Sequence, residues 1–182
     1  MAPIKRDARI LSLARPSLLV AALLCLAFLA GCGGAVKVGK GRVETPYTRY
    51  SFTPPGPDWR IMEVKDGNVA YYHAGTTAVI TLNSTCKEYR DATPAVLTGH
   101  LLMGIEHRQV HGQQEVEIAG RTGLATDVSG ALDGVKSRML LTVFNRDYCT
   151  YDILLACPPE SFEQVKGTVQ HIVSSFRVEH SR

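Results

Sequence analysis

Apolar and polar residues alternate along much of the chain from residue 48 onward, and a period of two residues predicts β-strands. Tyr50 and Phe52 lie on the apolar side of the first such strand. Segments 61–64 and 69–73 predict a β-hairpin, because Asp66-Gly67 between them suits the positive φ angles of a tight turn. The early part of this region is therefore expected to form antiparallel strands.

The next predicted strand, at residues 78–82, has a one-sided pattern. Ala78, Ile80 and Leu82 share its apolar face, and continuing the same period places Cys86 on that face too. This strand should therefore bury one side and expose the other.

A helix is predicted to begin at Thr93-Pro94, because the hydroxyl can cap the first turn and proline lacks only an N–H that would be unbonded there. It is expected to end near Arg108. Its buried stripe is predicted to contain Leu97, Leu101, Gly104 and Ile105.

The second half of the chain returns to strand patterns. Residues 115–119 and 124–129 alternate between apolar and polar, which indicates strands with one face in water. Residues 139–144 and 153–156 are apolar on both sides, so we expect central strands joined by a turn at 145–147.

A closing helix is predicted after Pro158-Pro159, with Ser161 and Gln164 at the spacing of a capping box. Its apolar stripe comprises Phe162, Val165, Val169, Ile172, Val173 and Phe176. The element order predicts an α+β fold: an antiparallel β-sheet of about six to seven strands covered by two main helices.

The first 32 residues show neither the strand nor the helix pattern of the rest of the chain. A basic segment precedes an apolar run at residues 18–30, which is too short to span a bilayer and has the length of a signal-peptide core. The run ends in Leu29-Ala30-Gly31-Cys32, a lipobox, in which small residues precede the cleavage site and the thiol receives a diacylglyceryl group. A secreted protein cut nearby, or an uncleaved anchor, is the alternative.

This interpretation divides the chain into three parts. Residues 1–31 are predicted to be a lipoprotein signal peptide, and residues 32–47 the lipidated Cys32 with a flexible spacer, since glycines and scattered cations there show no apolar period. Residues 48–178 are expected to form a single domain. We predict that the domain is stable without the spacer.

The balance of basic and acidic residues gives no support for nucleic acid as a partner. The chain has 20 Lys and Arg against 17 Asp and Glu, and removal of the leader leaves about 16 of each sign, so nothing favours nucleic acid. The predicted location is the bacterial cell envelope, lipid-anchored and facing the periplasm. Gly33, where an aspartate commonly retains lipoproteins at the inner membrane, favours the outer membrane.

Three cysteines remain in the domain, so at least one is unpaired. Cys149 and Cys157 lie on one predicted strand, too far apart to bond to each other. Cys86 ends a strand and Cys149 begins one, so antiparallel neighbours favour a Cys86–Cys149 disulfide. A Cys86–Cys157 bond, which requires parallel neighbours, and three free thiols are the alternatives.

The sequence predicts no catalytic residues, no cofactor and no metal site. His100 and His107 are about two helical turns apart on the predicted helix, too far to share a metal. His107 and His111 have a better spacing, but Gly112 indicates that the helix has already frayed there. No nucleophile elbow is present, and the glycines at 120–134 precede no helix that could bind phosphate.

Several of these residues resemble the PsbP-like fold family, which includes PsbP, the Ran-binding protein Mog and DcrB-type bacterial envelope lipoproteins. The resemblance extends over residues 50–178. It rests on Phe52, Pro55 and Trp59 at the start, glycines at 130–134, and the ending Tyr151-Asp152, Pro158, Phe162 and Ser175-Phe176. It implies a non-catalytic accessory or docking module and supplies no catalytic residues.

Two functions are therefore expected as alternatives. The first is a membrane-tethered docking or accessory subunit of an envelope complex, held to lipid through acylated Cys32 and binding a protein that the sequence does not identify. The second is a carrier of a small apolar or lipid ligand in a cleft between helix and sheet. An exposed surface without a deep pocket would favour the first.

Overall fold

A computed structural model describes residues 36–62, 64, 68–88 and 92–181. These residues form an α+β fold, as predicted. The strands are β1 (Lys37–Gly39), β2 (Arg42–Glu44), β3 (Thr48–Ser51), β4 (Trp59–Met62), β5 (Val69–His73), β6 (Ala78–Cys86), β7 (Glu106–Ile118), β8 (Arg121–Leu132), β9 (Val135–Arg146), β10 (Cys149–Cys157) and β11 (Arg177–Ser181). The helices are α1 (Pro94–Leu101) and α2 (Phe162–Ser175), with a short 3-10 turn at Pro159–Ser161 before α2.

Seven strands form the main sheet in the order β4-β5-β6-β10-β9-β8-β7, and every neighbouring pair is antiparallel. This confirms the predicted sheet and the central position of β9 and β10. The turn between them lies at Asp147 and Tyr148, both with positive φ, one residue beyond the predicted centre. The turn predicted at Asp66-Gly67 lies outside the described residues, although β4 and β5 pair as the predicted hairpin.

The sheet is covered on both faces. One face packs against α2 through Phe162, Val165, Val169 and Ile172, all of which are buried. The predicted apolar face of β6 points to this layer, since Ala78, Ile80 and Leu82 are almost fully buried there. The opposite face packs against α1 through a separate cluster that includes Leu97, Leu102, Val128, Met139, Leu141 and Val143.

A second, four-stranded sheet in the order β1-β2-β3-β11 was not predicted. The prediction of a flexible spacer is wrong for residues 37–44, because they form β1 and β2 and the side chain of Val43 is fully buried. The strand β11 likewise extends the domain beyond residue 178, by pairing with β3. The domain therefore begins closer to Cys32 than the sequence indicated.

Aromatic side chains join the small sheet to the main sheet. The ring of Tyr50 in β3 lies 5.7 Å from that of Tyr151 in β10, and both rings pack on Phe176, at 5.0 Å and 5.8 Å. The hydroxyl groups are also bonded: Tyr50 Oη donates to Asn68 Oδ1 at 2.9 Å, and the Thr48 and Tyr151 hydroxyls are 2.7 Å apart. The small sheet is therefore part of the core.

The C-terminal end of α1 and the N-terminal end of α2 differ from the predictions. Thr93 caps α1 as expected, with its side chain accepting from the Val96 N–H, but α1 ends at Leu101 rather than near Arg108. Gly104 has a φ of 85°, which terminates the helical turn, so Leu102 is buried instead of Leu101. The capping box is also wrong, because Ser161 has helical φ and ψ after the 3-10 turn and makes no capping bond.

Candidate functional site

The predicted lipidation residue, Cys32, lies outside the described residues, as does all of the predicted signal peptide. The folded domain follows closely, because β1 begins at Lys37. None of the helices in the described part of the chain has the length and hydropathy of a membrane span. Lipid attachment through Cys32 therefore remains a prediction.

The predicted disulfide is confirmed, since Cys86 is bonded to Cys149. The two residues are direct partners in the antiparallel ladder between β6 and β10, which excludes the Cys86–Cys157 alternative. Cys157 is free and buried, and its thiol donates to the Arg138 carbonyl at 3.6 Å. Burial raises the pKa of Cys157 to about 11, so this thiol stays protonated and unreactive near neutral pH.

The main candidate for a functional surface is the edge strand β7. Among the described strands it pairs only with β8, so its outer backbone groups face away from the sheet. The register shifts near Glu106 and Val110 and then continues without interruption from Gly112 to Ile118. An unshifted edge of this kind is a template to which another strand can be added. We refer to residues 112–118 as the open edge.

The side chains of the open edge give it a negative charge on one face. Glu115 and Glu117 are exposed and lie opposite Leu124 and Thr122 of β8, so both carboxylates are on the face of the sheet that α1 covers. Gln114 lies opposite Ala125 on the other face. A strand added here would have its alternate side chains near two carboxylates.

A groove of about 260 Å³ adjoins the open edge on the α2 face of the sheet. The residues that line it include His111, Gln113, Gln114, Asp127, Lys166 and Gln170. It is open to solvent and mainly polar, unlike the enclosed apolar cavities that hold lipid. Its shape suits side chains projecting from a protein partner.

Asp127, one of the residues that line this groove, forms an ion pair with Arg138. Asp127 accepts two hydrogen bonds from Arg138, at 2.6 Å from Nε and 2.8 Å from Nη2. The hydrogen bond to Asp127 raises the pKa of Arg138, and the guanidinium carbon also lies 4.9 Å from the centre of the Phe162 ring. These contacts hold the charged groups in place before any partner binds.

Asp152 is a buried carboxyl that entered the sequence analysis only as part of the family resemblance and not as a candidate site residue. It lies in the central strand β10 with 9% of its surface exposed, and Asn83 Nδ2 donates to its Oδ1 at 3.0 Å. Burial raises the pKa of Asp152, while the bond from Asn83 opposes the increase. An acidic residue within the apolar run 151–155 was the available signal. Its position away from β7 separates it from the open edge.

The histidines are not arranged as the sequence implied. His107 lies on β7 rather than on the predicted helix, and His111 lies on the same strand with its Nε2 2.8 Å from the Ser129 hydroxyl. His100 is exposed on α1. Among the residues that the structure describes, no group of three or more His, Cys, Asp or Glu is arranged to hold a metal ion.

Comparison with solved structures identifies the fold. CyanoP, the cyanobacterial PsbP of Synechocystis sp. PCC 6803, matches with a TM-score of 0.53 at 11% identity, covering 84% of this chain and 95% of its own. LpqN of Mycobacterium tuberculosis, which is involved in cell envelope biogenesis, matches with a TM-score of 0.52 at 12% identity, covering 82% of this chain and 87% of its own. The chain therefore has a PsbP-like fold, as the sequence resemblance predicted.

No protein-family model matches the chain, and no curated protein matches it in sequence. The similarity to CyanoP and LpqN is therefore one of fold, at an identity too low to transfer a function. The finer assignment to the DcrB-type lipoproteins remains a prediction from sequence.

Proposed function

We propose that this protein is a lipid-anchored bacterial envelope protein that acts as a non-catalytic docking subunit, binding an extended segment of a protein partner along the open edge. The observation that carries the proposal is the uninterrupted register of residues 112–118 on an edge strand with no outer neighbour among the described strands. Main-chain hydrogen bonds to such an edge supply affinity without requiring a deep pocket. The fold similarity to LpqN, which is involved in cell envelope biogenesis, agrees with a role in the envelope.

The charge of the open edge defines the chemistry of the partner. Glu115 and Glu117 are two residues apart on one face, so an added strand would bring two alternate side chains close to them. Like charges directly opposite would destabilise the pairing, whereas Lys or Arg would stabilise it. The partner segment is therefore an extended peptide with basic residues at alternate positions.

The carrier function, as a ligand held between helix and sheet, has less support from the two helix–sheet interfaces. The interface between α2 and the sheet is filled by side chains with exposed fractions of at most 4%, including Phe162, Val169 and Ile172. On the other face, Leu97 and Met139 are similarly buried beneath α1. The groove beside β7 is open and mainly polar. These features suit a peptide better than an apolar ligand.

The test is site-specific photo-crosslinking of the full-length protein in intact cells. A photoreactive residue replaces Glu115 on the open edge, and the matched control replaces Asp58, an exposed carboxylate just before β4 at the opposite edge of the main sheet. The proposal predicts one discrete adduct from position 115 that position 58 does not give. The adduct should be lost when Glu117→Lys is added.

Two results would contradict docking at this edge. The first is the same adducts from both positions, which indicates non-specific proximity. The second is no adduct from position 115 in a protein that is correctly folded and membrane-bound. In that case Glu115 and Glu117 serve only to prevent edge-to-edge aggregation, which is a common role of charge on edge strands.

A further inference from the structure

The point at which β1 begins limits how far the folded domain can lie from the lipid anchor. Residues 33–36 separate Cys32 from Lys37, the first residue of β1. Five residue steps span at most about 18 Å even when fully extended. If Cys32 is acylated, as the proposed function requires, Lys37 must therefore lie within that distance of the bilayer surface.

The strand pairing shows which end of the domain is tethered. Lys37 pairs with Glu44, so the start of β1 lies at the end of the small sheet where the chain turns between β2 and β3. Tyr47 lies in this turn with 46% of its surface exposed. Val36, immediately before β1, is 41% exposed.

The main sheet contributes to the same end of the domain. The ammonium of Lys87 lies 4.7 Å from the centre of the Tyr47 ring, and its backbone N–H donates to the Tyr148 carbonyl at 2.9 Å. Tyr148 is 70% exposed at the turn between β9 and β10. The Cys86–Cys149 disulfide connects these two segments covalently. We refer to Val36, Lys37, Tyr47, Lys87 and Tyr148 as the tether surface.

We propose that the tether surface contacts the headgroup layer of the membrane, with Tyr47 and Tyr148 as interfacial anchors and Lys37 and Lys87 beside anionic phosphates. Exposed tyrosines suit the interface because one end of the ring is apolar and the hydroxyl is polar. Lysines near an anionic membrane add electrostatic attraction. The diacylglyceryl group on Cys32 supplies most of the attachment, and this second contact adds to it and sets the orientation of the domain.

With the tether surface at the membrane, the opposite end of the domain lies away from the bilayer. Strand β9 runs from Val135 to Arg146, so the turn between β8 and β9 is roughly 37 Å from the turn at Tyr148 at the usual antiparallel rise per residue. Val135 is 66% exposed at that distant end. It provides a matched control position, apolar and accessible but far from the tether surface.

The test uses tryptophan fluorescence of the full-length lipoprotein, processed in cells and reconstituted into phosphatidylethanolamine–phosphatidylglycerol vesicles that contain brominated phosphatidylcholine. Trp59→Phe removes the only tryptophan. Tyr47→Trp or Tyr148→Trp then reports on the tether surface, and Val135→Trp reports on the opposite end. The two tether reporters are independent, so misfolding of one still leaves a test.

The proposal predicts that brominated lipid lowers the emission of either tether reporter about twofold or more and leaves that of Val135→Trp unchanged. Mass spectrometry of the same preparation shows whether Cys32 is acylated. Acylated protein with unquenched tether reporters, or with quenching only at position 135, would refute the orientation while leaving the anchor intact. Protein that is not acylated and does not float with the vesicles would refute both.

Discussion

Cys86 and Cys149 are direct cross-strand partners in β6 and β10, and the disulfide between them closes a loop with a sequence separation of 63. The bond links the two segments that form much of the tether surface. It also joins two strands of the main sheet at its centre. Oxidising conditions in the envelope would allow it to form and persist.

Replacing both residues, as in Cys86→Ser with Cys149→Ser, should lower the free energy of unfolding by about 4 kcal/mol, because the unfolded chain regains the entropy of an open loop. Urea unfolding of the purified protein measures this. The control is Cys157→Ala, which removes the free thiol and should cost about 1 kcal/mol. Equal stability of the double variant and the natural protein would contradict a structural role for the bond.

The small sheet provides a second test through the pair Val43 and Val38. These residues are partners in the β1–β2 ladder, but Val43 is fully buried and Val38 is 37% exposed. Val43→Ala should cost about 2 kcal/mol, because it removes buried apolar surface and leaves a cavity. Val38→Ala should change the unfolding free energy by less than about 0.5 kcal/mol. Equal effects would show that residues 37–44 are a spacer after all.

Glycine at position 41 is required by both conformation and space. Its φ is 76°, and a Cβ atom there would collide with the Phe52 carbonyl oxygen. Gly41→Ala should therefore cost about 2 kcal/mol or more. Gly39→Ala is the matched control, because nothing lies within 4 Å of a Cβ at position 39 and its φ is not positive. Thermal unfolding of the two variants measures the difference. If Gly39→Ala lost as much stability as Gly41→Ala, the requirement for glycine at position 41 would be contradicted.

Several features of the fold could be predicted from sequence because they depend on local periodicity. The alternation of Ala78, Ile80 and Leu82 fixed the buried face of β6, and chain direction then identified the partner of Cys86. The strands β1, β2 and β11 could not be predicted in this way. β1 and β2 have three residues each, too few to show a period of two, and β11 forms through contacts distant in sequence, such as Arg177 with Ser51.

The candidate surfaces were only partly predictable. The sequence indicated a strand near Val116, but a strand pattern does not show which strands lie at the edge of a sheet, and so the open edge was found only in the structure. The end of α1 was missed because Gly104 was interpreted as a packing residue rather than as a positive-φ terminator. The tether surface depends on β1, whose start brings Lys37 close to Cys32.

Asp152 should make stability depend on pH. Its pKa is raised by burial in the folded protein, so over the range between its ordinary value and the raised value the folded state binds more protons than the unfolded state. The unfolding free energy should therefore decrease as pH rises through that range. Asp152→Asn should remove this part of the pH dependence. The variant should also be more stable than the natural protein at neutral pH, since its side-chain oxygen can still accept the hydrogen bond from Asn83.

Urea unfolding of both proteins from about pH 4 to pH 8 measures the effect of Asp152. Asn83→Ala is the control, because it removes the hydrogen-bond donor to Asp152. Its unfolding free energy should therefore decrease more steeply with pH than that of the natural protein. Parallel pH profiles for Asp152→Asn and the natural protein would contradict the prediction that this buried carboxyl is destabilised when charged.

The most direct test of the account is the chemical state of the mature N-terminus. Mass spectrometry of protein extracted from the membrane fraction should show Cys32 as the first residue, carrying a diacylglyceryl group, and Cys32→Ala should be released into the soluble fraction or remain unprocessed. A mature protein that begins elsewhere, or a Cys32→Ala variant that is trimmed normally and stays with the membrane, would contradict the lipid anchor.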